Sequence, residues 1–317
     1  MRVYLGIDVG SVTTKFALLD ESSELINSLY TRTLGRPIQA VQDGLRWVED
    51  HMPEGAQIAG VGTTGSARQL SGVVVGADVV KNEITAHAVA AGRYVPGVRT
   101  VIEIGGQDSK IIILRDGIVV DFAMNTVCAA GTGSFLDQQA FRLNMRVEDI
   151  GPLALTSERP VRIAGRCTVF AESDMIHKQQ MGHALEDILY GLCQALARNY
   201  LNNVGLGKQI EPPIAFQGGV AANAGMVRAF EEILGHPVTV PPHHEVMGAI
   251  GAALLALEQA RRNGNHSSFR GFQASELDYR TRSFVCEGCA NLCEVIEVLM
   301  EGELIARWGG RCGRWET

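Results

Sequence analysis

The chain has 317 residues, 46% hydrophobic and 20% charged, which excludes a disordered protein and leaves room for two medium domains, because single cores stop growing near roughly 250–300 residues. A net charge of −7 and a pI of 5.7 exclude the basic footprint that a nucleic-acid partner requires. The chain opens in a strand-like run with neither a charged leader nor an apolar stretch of about 18 residues, so a cytoplasmic protein without a membrane span is expected. In that reducing compartment the seven cysteines, Cys128, Cys167, Cys193, Cys286, Cys289, Cys293 and Cys312, argue for metal ligation before disulfides.

In chain order, "RVYLGIDVGSVTTKFALLD" reads as two β-rich runs joined by a polar Gly-Ser turn, a hairpin. Pro37 to His51 is predicted helical, "QIAGVGTTG" a buried strand ending in a turn, and Asn82 to Arg93 a second helix. "TVIEIGGQDSKIIILRDGIVVDF" then repeats the opening plan, with Asp116-Gly117 supplying a further tight turn. Strands alternating with helices indicate α/β lobes, and the repeated hairpin indicates a duplicated lobe. From Ala184, the spacing of Leu185, Ile188, Leu189, Leu192, Leu196, Tyr200 and Leu201 predicts a long core-facing helix on which Cys193 is a packing residue. "PPIAFQGGVAANAGMVRAFEEIL" reads as strand, Gly-Gly turn and helix, and "EVMGAIGAALLALEQA" as a closing helix rich in small residues. The expected domains are lobe I over 1–92, completed by the helix 245–260, lobe II over 93–244, a polar linker over 261–275 and a Cys-rich tail over 276–317.

Phosphates are held by backbone N–H groups at glycine turns, helped by hydroxyls, lysines and carboxylates that face Mg²⁺. Two such turns occur. "GIDVGSVTTK" offers Asp8, Gly10, Ser11, Val12, Thr13, Thr14 and Lys15, and "EIGGQDSK" offers Gly105, Gly106, Gln107, Asp108 and Lys110. Neither fits the Walker or dinucleotide pattern.

The order and spacing of these segments, together with "FQGGVAANAGM", resemble the actin, hexokinase and Hsp70 superfamily over roughly Arg2 to Ala260. The resemblance implies an α/β fold of two duplicated ribonuclease H-like ATPase lobes. It implies that Asp8 holds Mg²⁺ through water while Ser11, Thr13, Thr14 and Lys15 grip phosphate from one lobe. Gly106, Gln107 and Asp108 would face them from the other, with the adenosine turn at Gly218 and Gly219. Either Gln107 or Asp108 would position the attacking water, since phosphoryl transfer depends chiefly on placement and charge neutralisation.

Cys128 lies in "NTVCAAGTGSFLDQQAFRL" and Cys167 in "AGRCTVFAESDMIHKQQM", each just ahead of a predicted helix. A helix N-terminus favours a thiolate and an anionic thiolate-ligated cluster. With "GGQDSK", these segments resemble the activators of 2-hydroxyacyl-CoA dehydratases and the related benzoyl-CoA reductase ATPase subunits, the BadF/BadG/BcrA/BcrD-like ATPases. The resemblance implies a homodimer with one bridging 4Fe-4S cluster held by Cys128 and Cys167 of each chain. It further implies ATP-driven transfer of a low-potential electron to an acyl-CoA dehydratase-like or double-cluster reductase partner, with ferredoxin or flavodoxin as donor.

The tail departs from the short activators. "FVCEGCANLCEVIEVLMEGELIARWGGRCGRW" puts Cys286, Cys289 and Cys293 on a tight loop and Cys312 after a hairpin turning near Glu301 to Glu303, a spacing that fits zinc or a second iron-sulfur cluster. His243 and His244 read as a surface turn, His87 as a helix residue, and Glu172 and Asp174 as an acidic helix face. Two rival functions fit the same phosphate turns: an N-acetylhexosamine-type kinase, and a zinc-stapled nucleotide-dependent adaptor.

Overall fold

The computed structural model describes residues 1–316 apart from Thr126, Arg166 and Asn265. The opening hairpin is β1 (Arg2–Val9) paired antiparallel with β2 (Thr13–Leu19), and β3 (Leu25–Arg32) extends it. Helix α1 (Pro37–His51) begins on a proline, whose missing N–H costs nothing in a first turn. Then come β4 (Gln57–Thr64), parallel to β1, helix α2 (Arg68–Val75) and the short β5 (Val79–Val80). The sheet order is β3-β2-β1-β4-β5.

Helix α3 (Glu83–Tyr94) leads to β6 (Thr100–Ile104), β7 (Ser109–Arg115) and β8 (Ile118–Asn125), an antiparallel meander. Asp116 and Gly117 turn it at φ 51° and 76°, the left-handed pair that a tight hairpin turn needs. Helices α4 (Gly133–Arg142), α5 (Val147–Ala154), α6 (Thr168–Gln180) and α7 (Leu185–Tyr200) follow, the last running into a π turn over Leu201–Gly205. β9 (Ile214–Gln217), α8 (Ala224–Leu234) and β10 (Val238–Thr239) complete a second sheet of order β10-β9-β6-β7-β8. Read from its other end, this is the first sheet again: an antiparallel hairpin extension, a central strand, and two parallel strands beyond it. The duplication expected from the two hairpins is therefore present strand by strand.

Helix α9 (Met247–Arg262) returns the chain to the first sheet, and the tail forms a separate antiparallel sheet of β11 (Tyr279–Val285), β12 (Glu294–Met300) and β13 (Glu303–Trp308). By contacts the chain divides into two compact units, 1–83 with 248–317, and 84–247.

Small residues explain the first unit. A Cβ added at Gly6 would lie 1.8 Å from the Ala249 carbonyl, and one at Gly62 would lie 2.1 Å from that of Ala252. Strands β1 and β4 thus press against α9 at backbone distance, which is why that helix is built from glycine and alanine. In the second unit α7 is buried nearly all round, from Ile188 through Tyr200, as a helix through the core must be. Phe230 stands edge-on to both Tyr200 and Phe216, at 5.4 and 5.1 Å between centroids.

Two expectations for the C-terminal region are revised. The stretch 267–275 is not a free linker: Ser268 N–H donates to Asp78, Arg270 N–H donates to the Val75 carbonyl at 3.0 Å, and Phe269 and Phe272 pack on the first unit's core. Nor does the tail stand apart, because Tyr279, Val298 and Ala306 are buried in that same core, and the Tyr279 hydroxyl donates to the Val74 carbonyl at 3.1 Å. Apolar residues of β11–β13 shared between two faces gave no periodic signal of where they would dock. Gly76 tests this attachment. It caps α2 at φ 70°, and a Cβ there would meet the Ser268 carbonyl at 2.3 Å. Gly76→Ala is expected to lower stability by about 1–3 kcal/mol in urea denaturation.

Candidate functional site

The end of β1 and the start of β2 form the first turn. Gly10 N–H donates to the Thr13 carbonyl at 3.0 Å, and the register places Asp8 opposite Lys15, whose ammonium reaches Asp8 Oδ2 at 3.0 Å. Asp8 is 5% exposed. Glycines wall its carboxylate: a Cβ at Gly65, where φ is 90°, would lie 2.5 Å from Oδ1, and one at Gly248 would lie 2.6 Å from Oδ2. Beside them Thr64, opposite Asp8 across β1 and β4, has a buried hydroxyl without a partner among the described residues. Ser11 is exposed, and Val12 and Thr13 are half-buried at the turn. Thr14 points the other way, wholly buried, with its hydroxyl 2.9 Å from that of Thr33, which in turn donates to the Gly10 carbonyl. Strand alternation therefore makes Thr14 a brace beneath the turn and not a phosphate contact.

The second turn repeats this arrangement, with a glutamate in place of the aspartate. Gly105 N–H donates to the Asp108 carbonyl at 3.0 Å, and Glu103 stands opposite Lys110, joined to it by an ion pair of 2.9 Å. Lys110 also reaches Asp108 at 2.9 Å. Gly218, at φ 90°, plays the part of Gly65, since a Cβ there would meet the Ile104 carbonyl at 2.4 Å and Glu103 Oε1 at 2.8 Å. Gln107 is exposed and Asp108 half-buried at the tip, with Gly106 between the turn's two ends. Gly219 opens the short 3-10 turn after β9. His244 is more than a surface turn: its Nδ1 lies 3.0 Å from the Gly218 carbonyl, while Gly218 N–H donates to the His244 carbonyl at 2.9 Å. Gln217, buried, holds His87 at 2.7 Å.

Each turn thus carries an acid–lysine pair almost wholly removed from water, at a desolvation cost of several kcal/mol per ion. Such pairs contribute little net stability. Sequence reading missed Glu103, Thr64, Gly65 and Gly248. Aligning "DVGSVTTK" with "EIGGQDSK" would have found Glu103 as the counterpart of Asp8; the other three come from distant segments and carry no local signal.

The cysteines lie where their sequence context placed them. Cys128 precedes a 3-10 turn over Ala129–Gly131 that runs into α4, and Cys167 is the N-cap of α6; both are half-buried, and neither side chain makes a capping hydrogen bond. The first N–H groups of α4 are taken up by the second glycine turn, Gly133 donating to the Gly105 carbonyl at 2.8 Å and Ser134 to that of Gly106 at 2.9 Å, with the Ser134 hydroxyl donating to the same carbonyl. Two expected features differ. Glu172 pairs with Arg142 at 2.5 Å and Asp174 accepts from Ala164 N–H at 2.9 Å, so these acids brace α6 instead of forming a solvated face. Cys193 is fully buried, and burial pushes its thiol up to about 12, as befits a packing residue.

In the tail, the expected turn is at Glu301 and Gly302, with φ 52° and 85°. The four cysteines share the end of this sheet but are not gathered into a ligand set: among the described residues no three His, Cys, Asp or Glu side chains form a metal-holding group. Cys286 Sγ is engaged by the Trp315 indole N–H at 3.2 Å, while Cys289 and Cys312 are exposed and Cys293 is half-buried. The Trp315 bond, with a further one from Gly288 N–H, holds the Cys286 thiol below its ordinary range. No helix among the described residues is long and apolar enough to cross a membrane.

Comparison with known proteins agrees with this geometry. The chain is 36% identical over 270 residues, 83% of its length and 100% of the relative's, to the (R)-2-hydroxyglutaryl-CoA dehydratase activating ATPase of Acidaminococcus fermentans. Its structure resembles the activator of the 2-hydroxyisocaproyl-CoA dehydratase from Clostridium difficile with bound ADPNP, at a TM-score of 0.73 and 31% identity over 83% of this chain and 97% of that one. A ROK family glucokinase from Streptomyces griseus, at a TM-score of 0.52 and 15% identity over 81% of this chain and 99% of that one, shares the fold alone. The model of the BadF/BadG/BcrA/BcrD ATPase family matches residues 5–256, which leaves the tail outside it. The chain belongs to the BadF/BadG/BcrA/BcrD ATPase family.

Proposed function

We propose that the protein is a cytoplasmic ATP-driven reductive activator, passing a low-potential electron from a 4Fe-4S cluster shared by two copies of the chain to an acyl-CoA dehydratase-like or related double-cluster partner. The observation that carries this reading is the pair of bonds from Gly133 and Ser134 to the carbonyls of Gly105 and Gly106, at 2.8 and 2.9 Å. Through them the helix behind Cys128 hangs on a phosphate turn. A nucleotide-dependent shift of Gly105 to Asp108 is then also a shift of that helix end. The relatives' names as dehydratase activators support the same class of partner.

The chain's own residues divide the work. Asp8, in its glycine-walled recess, directs water toward Mg²⁺, which screens phosphate charge when bound. Lys15 and the N–H groups of Ser11 to Thr13 hold the phosphates from the first turn, and those of Gly106 to Asp108, with Lys110, from the second. Gln107 or Asp108 orients the attacking water, and Gly218 and Gly219 carry the adenosine. Cys128 and Cys167 fit half a ligand set: both are half-buried, one directly ahead of the 3-10 turn that leads into α4 and one at the N-cap of α6, and four such ligands require two chains. When bound, the cluster supplies a one-electron store, filled by ferredoxin or flavodoxin. Val127, Val169 and Phe170, at 95%, 66% and 67% exposure beside the two cysteines, supply an apolar rim that a second copy would cover. Nucleotide biases the helix ends only by differential affinity for two arrangements, at about 1–3 kcal/mol per site.

The test is anaerobic purification with iron, sulfide and zinc analysis. One 4Fe-4S cluster per dimer, whose iron is released to a chelator at different rates with ADP and with ATP, is the expected result. An iron-free monomer after reconstitution would leave a sugar kinase or an adaptor as the function. For the tail we propose that Cys286, Cys289, Cys293 and Cys312, which share one end of its sheet without forming a ligand set as they stand, close into a separate zinc or second iron-sulfur site on binding the metal. Cys289→Ser and Cys312→Ser should each lose the same metal equivalent, read by elemental analysis, and keep the core cluster spectrum. Loss of the core cluster in either variant would show that the sites are not separate.

A further inference from the structure

The last turn of α7 touches both cysteine loops and the second phosphate hairpin, and its contacts are made by one buried amide and its neighbours. Asn199 is 3% exposed. Its Nδ2 donates to the carbonyl of Gly165, two residues before Cys167, and its Oδ1 accepts from Asn203 Nδ2 at 2.8 Å. On the other side Gly131, three residues after Cys128, passes so close that a Cβ there would lie 3.1 Å from Asn199 Oδ1 and 3.5 Å from Asn125 Nδ2. Asn125 in turn donates to the Cys128 carbonyl at 2.8 Å and accepts from Cys128 N–H at 3.0 Å. The next residue of α7, Tyr200, donates its hydroxyl to the carbonyl of Lys110 at 2.6 Å, on the strand that leaves the phosphate turn. The π turn over Leu201–Gly205 begins immediately afterwards.

Stability does not explain this arrangement. Asparagine is a poor residue for a helix interior, and every other α7 position facing this core is apolar or small. A buried amide stripped of its partners costs about 1–3 kcal/mol, so Asn199 makes the fold depend on where the loops lie. A π turn is an irregularity that recurs at functional sites. We propose that Asn199 is a positioning residue: it holds the Cys128 and Cys167 loops at a set separation and, through Tyr200, ties that separation to the phosphate hairpin. The proposal rests on the reading of Cys128 and Cys167 as cluster ligands. In that role Asn199 acts as outer-shell residues do around metal ligands, orienting a ligand through a bond to its loop.

The test uses the full-length chain, prepared anaerobically in iron-loaded and iron-free forms. Asn199→Asp keeps the shape and the acceptor for Asn203 but removes the donor to Gly165. In the iron-free protein, iodoacetamide should alkylate Cys128 and Cys167 several-fold faster than in the wild type, with exposed Cys289 and buried Cys193 at wild-type rates. In the loaded protein, iron loss to a chelator should be roughly 10- to 100-fold faster, with ATP affinity unchanged and the difference between the ADP and ATP states reduced. Should Asn199→Asp not accumulate, Asn203→Ala at an exposed position carries the same readouts with a smaller shift. Wild-type alkylation and iron retention would overturn the proposal, as would a parallel rise at Cys193, which would reduce Asn199 to a holder of the core. A Cys128→Ser chain that keeps its iron would defeat the cluster reading itself. Wild-type behaviour of Asn199→Asp beside an iron-free Cys128→Ser would defeat only the present proposal.

Discussion

Asp8→Asn is expected to lower Mg-ATP hydrolysis by roughly 10²-fold or more while the protein stays folded, because the carboxylate would hold in place, through water, the Mg²⁺ that offsets developing phosphate charge, and preorganised electrostatic stabilisation contributes on that scale. Asparagine fills the same volume within the recess walled by Gly65 and Gly248, so the change removes charge and not shape. It also turns the 3.0 Å ion pair with Lys15 into a contact with a neutral amide, and it leaves the N–H groups of the turn unchanged. Turnover should therefore fall further than nucleotide affinity, and steady-state hydrolysis beside a nucleotide titration separates the two. Gly248→Ala provides a second approach to the same site. Its Cβ would stand 2.6 Å from Asp8 Oδ2 and displace the carboxylate without altering any charge. Wild-type turnover in Asp8→Asn would remove this turn from the catalytic site.

Cys128→Ser and Cys167→Ser should each abolish the core cluster and the electron transfer that depends on it, with ATP binding retained. A serine hydroxyl matches the thiol in shape but does not ionise at neutral pH, so it cannot supply a charged ligand. The two variants should be equally deficient, because in a shared site each removes two of four ligands. Cys193→Ser supplies the control, since that thiol is buried and held neutral at ordinary pH. The measurements are iron and sulfide per chain, the visible absorption of the anaerobic protein, and the oligomeric state by gel filtration. If Cys167→Ser retained a full iron complement while Cys128→Ser lost it, Cys167 would be no ligand and the pairing across two chains would fail.

The sequence by itself determined the elements and their repetition. The β-rich composition of β1, the alternation of β2, the start of α1 at Pro37 and the helical spacing of α7 are local patterns, and together they tell a strand from a helix. The glycine turns at Gly10 and Gly105 were legible for the same reason, since each closes over only a few residues. The positions of Cys128 and Cys167 ahead of helices were likewise read from the segments that follow them. What only the tertiary structure decided were contacts between segments far apart in the chain. Glycine 248 on the Asp8 carboxylate, Gly218 on Glu103, Asn199 between the two cysteine loops and Tyr279 on α2 each join residues whose neighbours in sequence say nothing of the partner. Thr14 was misplaced for a related reason: a threonine in a phosphate-like turn carries the right chemistry, but the two-residue period of β2 points it into the core. Residue type and local period fix which groups a turn or helix presents, and packing of the whole chain decides which of them meet.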